Sequence, residues 1–156
     1  MTDLHAKASD YGHILVAVDA SEPAKRAVAR AARLARSTGA RLSLLHVVRH
    51  MQVHERLLDM ADGEKITGVR GDLLVLVAGK ILREAKGIAA ENGLREVETG
   101  FVDGDPAVRI VEHAKDLGAD LIVLGTRGLG KIRTAFLGSV SRKVTNLAEV
   151  EVLVVR

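Results

Sequence analysis

The sequence predicts a single-domain α/β protein, a three-layer α/β/α sandwich built on a five-stranded parallel sheet of order 3-2-1-4-5. Short apolar runs alternate with segments of helical period, which favours right-handed βαβ units and hence a parallel sheet. The first and fourth of these runs are apolar almost throughout, as strands buried on both faces are, so both are central. The length of 156 residues fits one domain with one core.

The first part of the chain reads as strand, helix, strand. His13–Asp19 is a near-continuous apolar run and is predicted as strand one. Ser21 is an N-cap residue type and Pro23 suits a first helical turn, so a helix begins here and ends at Gly39. Arg41–Val48 follows as strand two.

The middle of the chain is less regular. Residues 49–70 have no steady period, whereas apolar residues after Gly71 recur at helical spacing until Asn92-Gly93. Glu96–Val102 alternates polar and apolar residues and is predicted as strand three, at an edge of the sheet. The next helix begins at Asp105-Pro106, with Asp as N-cap and Pro at the first helical position.

The last part of the chain contains two strands, a loop and a helix. Asp120–Leu124 is predicted as strand four, followed by a basic, glycine-containing loop at Gly125–Gly138. Ser139–Ala148 is a short helix, and Val150–Val155 is the terminal strand. In the predicted order the connection reverses direction between strands one and four, which opens a crevice at their carboxyl ends.

Composition excludes several functions. The chain has no cysteine, so disulfides and thiolate chemistry are ruled out. Its aromatic content of 2% and its net charge of +3 argue against a nucleic-acid partner. No apolar run approaches the roughly 20 residues that span a bilayer. Because residues 1–11 also lack a signal-peptide core, we expect a cytoplasmic protein with a flexible N-terminal segment and one domain over residues 12–156.

The residues that follow strands one and four, at the crevice, are of types that bind anions. Gly125-Thr126-Arg127-Gly128 follows strand four, and Gly138-Ser139-Val140-Ser141 opens the next helix. Small residues let a backbone approach a ligand, and glycine also permits positive φ. A helix N-terminus favours phosphate, and serine hydroxyls add donors. Between Leu121 and Ala148 the segment is basic and contains no acidic residue.

Two familiar phosphate loops fit less well. Gly125-x4-Gly130-Lys131 matches the first positions of a P-loop, but Ile132 stands where the Mg²⁺-binding Ser or Thr belongs. No G-x-G-x-x-G fingerprint follows strand one, which argues against a dinucleotide site. His50 and His54 lack a third ligand at a recognisable spacing, so no metal site is predicted.

The loop and the helix start together match G-x2-G-x9-G-[ST], the nucleotide-binding signature of the universal stress protein family. The opening ILVAVDAS, the Gly104-Asp105-Pro106 turn, ADLIVLGTRG and the closing VLVV fall in the order typical of that family. The sequence therefore resembles a universal stress protein over about Gly12–Arg156, with only residues 49–70 unaligned. One departure is Glu149-Val150-Glu151, where the family commonly has a proline.

The resemblance implies a Rossmann-like, adenine nucleotide alpha hydrolase-like fold and ATP as ligand, with AMP or ADP as alternatives and Mg²⁺ accompanying ATP. Asp19 would contact the ribose or the adenine edge, unless it only caps the first helix. The other implied contacts come from both strand exits and the helix start, with Arg127 contributing charge: Ala17, Val18 and Val47 at the adenine; Leu124, Gly125 and Gly128 at the ribose and phosphates; Gly138, Ser139, Val140 and Ser141 at the phosphates.

The sequence leaves three classes of function open. The first is a nucleotide-binding regulatory protein of the universal stress type, which acts through an unknown protein partner. The second is a slow ATPase or another ATP-using enzyme, and the third, less supported by the basic loop, is a flavin or electron-transfer module. Val150–Val155 is rich in β-branched residues at an open sheet edge, so we also expect a homodimer through this strand.

Overall fold

A computed structural model describes residues 11–49, 63–127 and 137–156 of the chain. Of the expected flexible segment at residues 1–11, all but Tyr11 lies outside the described residues. Strands and helices alternate along the described ranges: β1 His13–Ala17, α1 Glu22–Thr38, β2 Arg41–Val48, α2 Gly63–Glu91, β3 Glu98–Asp103, α3 Pro106–Leu117, β4 Leu121–Gly125, α4 Ser139–Leu147 and β5 Glu151–Val155.

The sheet has the predicted topology. Its five strands pair in parallel in the order β3-β2-β1-β4-β5. The central pair is β1 and β4, with Ile14 opposite Leu121 and Val16 opposite Val123. The chain therefore reverses its direction of progress between these two strands, and their carboxyl ends lie side by side.

The two faces of the sheet carry separate apolar layers. Alternate residues of β1 show this, because Ile14 and Val16 pack with α1 and α2, whereas Leu15 packs with α3 and α4. Leu15 is fully buried and so is Ile122 of β4. Both central strands are thus covered on both sides, which explains their continuous apolar runs.

Helix ends follow the predicted capping residues. The Ser21 hydroxyl accepts a hydrogen bond from the Ala24 N–H, and α1 ends at Gly39 in the left-handed conformation with φ 75°. The Asp105 side chain accepts from the Val108 N–H at the start of α3. These local signals fix where α1 and α3 begin.

The prediction for α2 was wrong at its start. The helix begins at Gly63 and has 29 residues, whereas the sequence placed its beginning after Gly71. Residues 63–71 contain three glycines and only two aliphatic residues, Ile66 and Val69, so no apolar period marks the first turns of the helix. The bounds of β2 are as predicted, whereas each of the other strands differs from its prediction by one or two residues at one or both ends. Among the described helices, none combines the length and the apolar character needed to cross a membrane.

Candidate functional site

Gly125 ends β4 directly against the first turn of α1. A Cβ atom at this position would lie 2.7 Å from the Pro23 Cβ and 2.9 Å from the Ala24 nitrogen. Glycine is therefore required here because two backbones approach closely. Gly125 does not adopt a positive φ, so the close approach and not the backbone conformation explains the glycine. The contact places the start of α1 at the exit of β4.

Gly138 occupies the N-cap position of α4. Its φ of −67° is open to any residue, so here too size rather than positive φ explains the glycine. A Cβ would lie 3.1 Å from the Thr126 carbonyl oxygen and 3.3 Å from the Arg127 Cα. No side chain caps the helix at Gly138. The first N–H groups of α4 thus remain available for an anion.

The two serines of α4 lie in different environments. Ser141 is 2% exposed, and its hydroxyl lies 2.9 Å from the Thr126 carbonyl oxygen and 3.1 Å from that of Gly138. Ser139 is exposed, and its hydroxyl has no partner among the described residues. Of the two hydroxyls predicted to grip phosphate, that of Ser139 can turn towards a ligand without breaking a hydrogen bond. The hydroxyl of Ser141 joins the helix to the β4 exit.

The residues after β1 lie beside those of β4, as the sequence predicts. Ala17 is the half-buried last residue of β1, and Val18 is 5% exposed with its N–H bonded to the Leu45 carbonyl at 2.8 Å. Val18 belongs to the layer of α1 and α2, whereas Val47 packs against the layer of α3 and α4. These two valines therefore do not form one continuous wall, and a ligand meets both only at the carboxyl edge of the sheet.

Asp19 has one carboxylate oxygen engaged and one open. Its Oδ1 accepts from the Ser21 N–H at 2.9 Å, which orders the turn before α1. The carboxylate has no other partner among the described residues, and Asp19 is half-buried. A capping role and a ligand role are thus compatible in the same side chain.

The side chain of Ser21 connects the β4 exit to the start of α1. The Ser21 hydroxyl donates to the Arg127 carbonyl at 3.3 Å while it accepts from the Ala24 N–H. Arg127 is half-buried. Leu124 is 4% exposed, and its side chain packs in the layer of α3 and α4. Gly128, which is part of the predicted motif, lies outside the described residues.

Sequence reasoning missed Thr126 as a positioning residue. Its N–H donates to the Val155 carbonyl at 2.8 Å, and its carbonyl accepts from the Gly138 N–H at 2.6 Å and from Ser141. Thr126 therefore connects β4 to β5 and to α4. A small polar residue between the motif glycines was the available signal. His46 also contacts the residue after β1, since its Nδ1 lies 2.8 Å from the Val18 carbonyl oxygen.

One positive charge of the basic segment between Leu121 and Ala148 is paired with a carboxylate from another part of the chain. The Lys143 ammonium lies 3.2 and 3.1 Å from the two carboxylate oxygens of Asp105, at the start of α3. The Val108 N–H, and after it Lys143, lowers the pKa of Asp105 below its ordinary value. Among the described residues, no group of three His, Asp or Glu side chains could hold a metal ion. His50 and His54 lie outside the described residues.

Comparison with known proteins identifies close relatives along the chain. The Universal stress protein YxiE of Bacillus subtilis is 38% identical over 157 residues, covering 94% of this chain and 99% of that protein. A universal stress protein solved in complex with cAMP is 29% identical, with a TM-score of 0.67 and coverage of 94% and 97%. The Archaeoglobus fulgidus universal stress protein in complex with dAMP is 26% identical, with a TM-score of 0.67 and coverage of 94% and 98%.

The similarity to these proteins extends over the elements that form the crevice. The family profile described as "Universal stress protein family" matches residues 10–156, which include both strand exits and α4. The chain belongs to the universal stress protein family.

Proposed function

We propose that this protein is a cytoplasmic, ATP-binding regulatory protein of the universal stress type. The observation that carries the proposal is the N-terminus of α4, which has no side-chain cap and which the close approach at Gly138 holds at the β4 exit. An uncapped helix start at the carboxyl edge of a parallel sheet favours a phosphate group. Solved relatives in complex with cAMP and dAMP support an adenine nucleotide as the ligand.

In this proposal the nucleotide lies across the carboxyl ends of β1 and β4. The phosphates meet the α4 N–H groups, the Ser139 hydroxyl and the positive charge of Arg127. The open oxygen of Asp19 accepts from a ribose hydroxyl. The base lies against aliphatic surface beside Val18. Mg²⁺ would enter with the triphosphate, since the described residues offer no metal cluster of their own.

The second candidate is a slow ATPase at the same site. Hydrolysis needs a group that orients a water molecule, and a metal ion usually assists it. Asp19 already accepts from Ser21, and Asp105 from Val108 and Lys143. We therefore favour binding without rapid turnover, in which ATP occupancy alters contact with a protein partner.

We also propose a homodimer through β5. This strand lies at the edge of the sheet beside β4, and its residues Val152–Val155 are half-buried. An apolar edge strand is a template for pairing, and pairing of two identical edges about a two-fold axis closes it.

The test of nucleotide binding begins with the purified protein. Mass spectrometry identifies any nucleotide that the protein releases when it is denatured. Calorimetry with ATP, ADP, AMP and cAMP then identifies the preferred ligand. We expect ATP to bind with micromolar-class affinity, about −8 kcal/mol. Absence of heat with all of these nucleotides, from protein shown to be folded and free of ligand, would overturn the proposal.

A further inference from the structure

The outer face of α1 carries a stripe of arginine side chains. The helix packs on the sheet through small residues, most of them alanine, and its opposite face is exposed. On that face arginines recur every three or four residues over about 15 Å of helix, and they form the arginine stripe: Arg26, Arg30, Arg33 and Arg36. Their charge exceeds the net charge of +3 of the whole chain, so the remaining residues together carry no net positive charge.

Neutral groups orient part of the arginine stripe. Nη1 of Arg33 donates to Oδ1 of Asn92 at 3.0 Å, just after the end of α2. Arg36 lies against Gly93, where an added Cβ would be 2.8 Å from its Nη1. Arg30 has no partner among the described residues. These contacts hold guanidinium groups in place without cancelling their charge.

Carboxylates on the same surface pair with a lysine instead. The Lys25 ammonium lies 3.5 Å from Oε1 of Glu22 and 2.8 Å from Oε1 of Glu84, which belongs to α2. Among the ion pairs of the described residues, none joins a carboxylate side chain to the arginine stripe. The stripe therefore presents uncompensated positive charge, which attracts anions.

Helix α2 runs beside α1 in the same direction. Lys25 contacts Glu84 near the start of α1, and Arg33 contacts Asn92 near its end, so the two helices advance together. Because α2 already begins at Gly63, its first half extends beyond the start of α1. The side chains of this extension are therefore not covered by α1.

The exposed side of α2 is apolar in this extension and basic further along. Leu73 and Leu76 are 59% and 66% exposed. Lys80 and Arg83 continue the same helical spacing and are also exposed, whereas Ala78 on the opposite side is fully buried. The outer surface of α1 and α2 thus combines the arginine stripe with two further cations and two exposed leucines.

We propose that this outer surface binds the anionic headgroups of a lipid bilayer, with Leu73 and Leu76 entering the headgroup region. Guanidinium groups form paired hydrogen bonds to phosphate, and exposed leucines gain from leaving water at the bilayer boundary. A nucleic acid would use the cations but leave the leucines in water. The Lys25–Glu84 ion pair bridges the two helices, so they present convex ridges that a deformable lipid surface can follow. The proposal is independent of nucleotide binding.

The test measures sedimentation of the full chain with lipid vesicles. One set contains phosphatidylglycerol and phosphatidylcholine in equal parts, and the other contains phosphatidylcholine alone. We expect at least about tenfold stronger partition into the anionic vesicles, since several cations act at the surface. Binding should weaken as salt rises from about 0.1 to 1 M, because the Debye length falls from about 10 to 3 Å.

Matched variants assign the binding to this surface. Arg30→Glu should lower the partition coefficient about tenfold or more. Lys115→Glu makes the same charge change at an exposed residue of α3, on the other face of the sheet, and should have little effect. Leu76→Gln should lower binding several-fold and leave its salt dependence unchanged. Leu147→Gln alters a leucine of α4 that is 45% exposed, and it is the control for Leu76.

The outcomes are distinct when circular dichroism shows every variant folded. Failure to sediment with anionic vesicles would overturn the proposal, and binding of a DNA duplex or polyglutamate instead would assign the stripe to a nucleic acid or an acidic protein. Equal losses in Arg30→Glu and Lys115→Glu would also overturn it, because overall charge would then be responsible. Calorimetry with ATP should give equal affinity for Arg30→Glu and the unmodified protein. If neither binds ATP, the proposed nucleotide function fails, whereas lipid binding is judged by sedimentation alone.

Discussion

The N–H of Gly138 donates to the carbonyl oxygen of Thr126 across 2.6 Å, and this bond brings the start of α4 to the exit of β4. The same carbonyl accepts from the Ser141 hydroxyl at 2.9 Å. Both ends of the intervening loop are therefore fixed at one point of the sheet edge. An anion site assembled there is preorganised, because little backbone rearrangement is needed on binding.

Replacement of Gly138 by valine should abolish nucleotide binding. Even a Cβ would lie 3.1 Å from the Thr126 carbonyl, so the larger side chain must displace the start of α4 from the strand exit. Calorimetry should show at least a tenfold loss of ATP affinity, while circular dichroism shows retained secondary structure. Gly87→Ala is the matched control, because nothing lies within 4 Å of its added Cβ. Equal affinity in the two variants would argue against this site.

Substitution of the two serines of α4 should have different effects, one on nucleotide binding and the other on the stability of the fold. Ser139→Ala removes an exposed hydroxyl, so ATP affinity should fall several-fold with little change in the melting temperature. Ser141→Ala removes a buried hydrogen bond, which should lower the free energy of unfolding by about 1 kcal/mol. Calorimetry and urea unfolding of both variants test this. The opposite pattern would mean that Ser141 is the direct ligand.

The ion pair between Asp105 and Lys143 predicts that the stability of the fold depends on pH. The folded-state pKa of Asp105 is lowered, so its contribution to stability is present above the unfolded pKa and is lost as pH falls through the folded value. Lys143→Met should raise the pKa of Asp105 only partly, because the bond from the Val108 N–H, the largest cause, remains. Carboxyl carbon NMR titration measures this shift. No shift would show that the ion pair does not form in solution.

The sheet could be predicted because its signals are local. Continuous apolar runs identified β1 and β4 as central, and capping residues such as Ser21 and Asp105 placed the helix starts. In contrast, the start of α2 was misplaced, because residues 63–71 contain three glycines and few apolar residues. A prediction that relies on the spacing of apolar residues fails where few of them occur.

The position of the candidate site could be predicted from the sequence, but the separate role of each of its residues could not. The glycine motif identified Gly125 and Gly138, yet a motif does not say that close approach rather than positive φ requires them. It also does not distinguish the buried Ser141 from the exposed Ser139, which are both serines of one helix turn. Lys143 pairs with an acid from another helix, a contact that only the tertiary structure specifies.

Turnover of ATP should be slow. The Asp19 carboxylate already accepts from the Ser21 N–H, and its expected place is beside the sugar, away from the terminal phosphate. A steady-state assay with Mg²⁺ should therefore remain well below the usual enzyme range of about 1 to 1,000 per second. A rate within that range, abolished by Gly138→Val in the same preparation, would favour the ATPase alternative.

The proposed dimer depends on the free edge of β5. Among the described strands, β5 pairs with β4 alone, and the Thr126 N–H donates to its Val155 carbonyl. Val152 packs against the α3 and α4 layer, so its replacement would also disturb the core. Val154 is half-buried but is in neither core layer, which makes it the cleaner position for a test.

Val154→Lys should dissociate the homodimer. The change places like charges near the two-fold axis and removes apolar surface from the paired edges, while the neutral, β-branched Val154→Thr keeps the shape of the side chain. Glu151 at the start of the strand could instead keep the protein monomeric, although its carboxylate accepts from the Tyr11 hydroxyl. Light scattering at tens of micromolar protein should give a dimer for the unmodified chain and for Val154→Thr, and a monomer for Val154→Lys with an unchanged circular dichroism spectrum. A monomeric unmodified protein, or a Val154→Lys variant that remains dimeric, would rule out this interface.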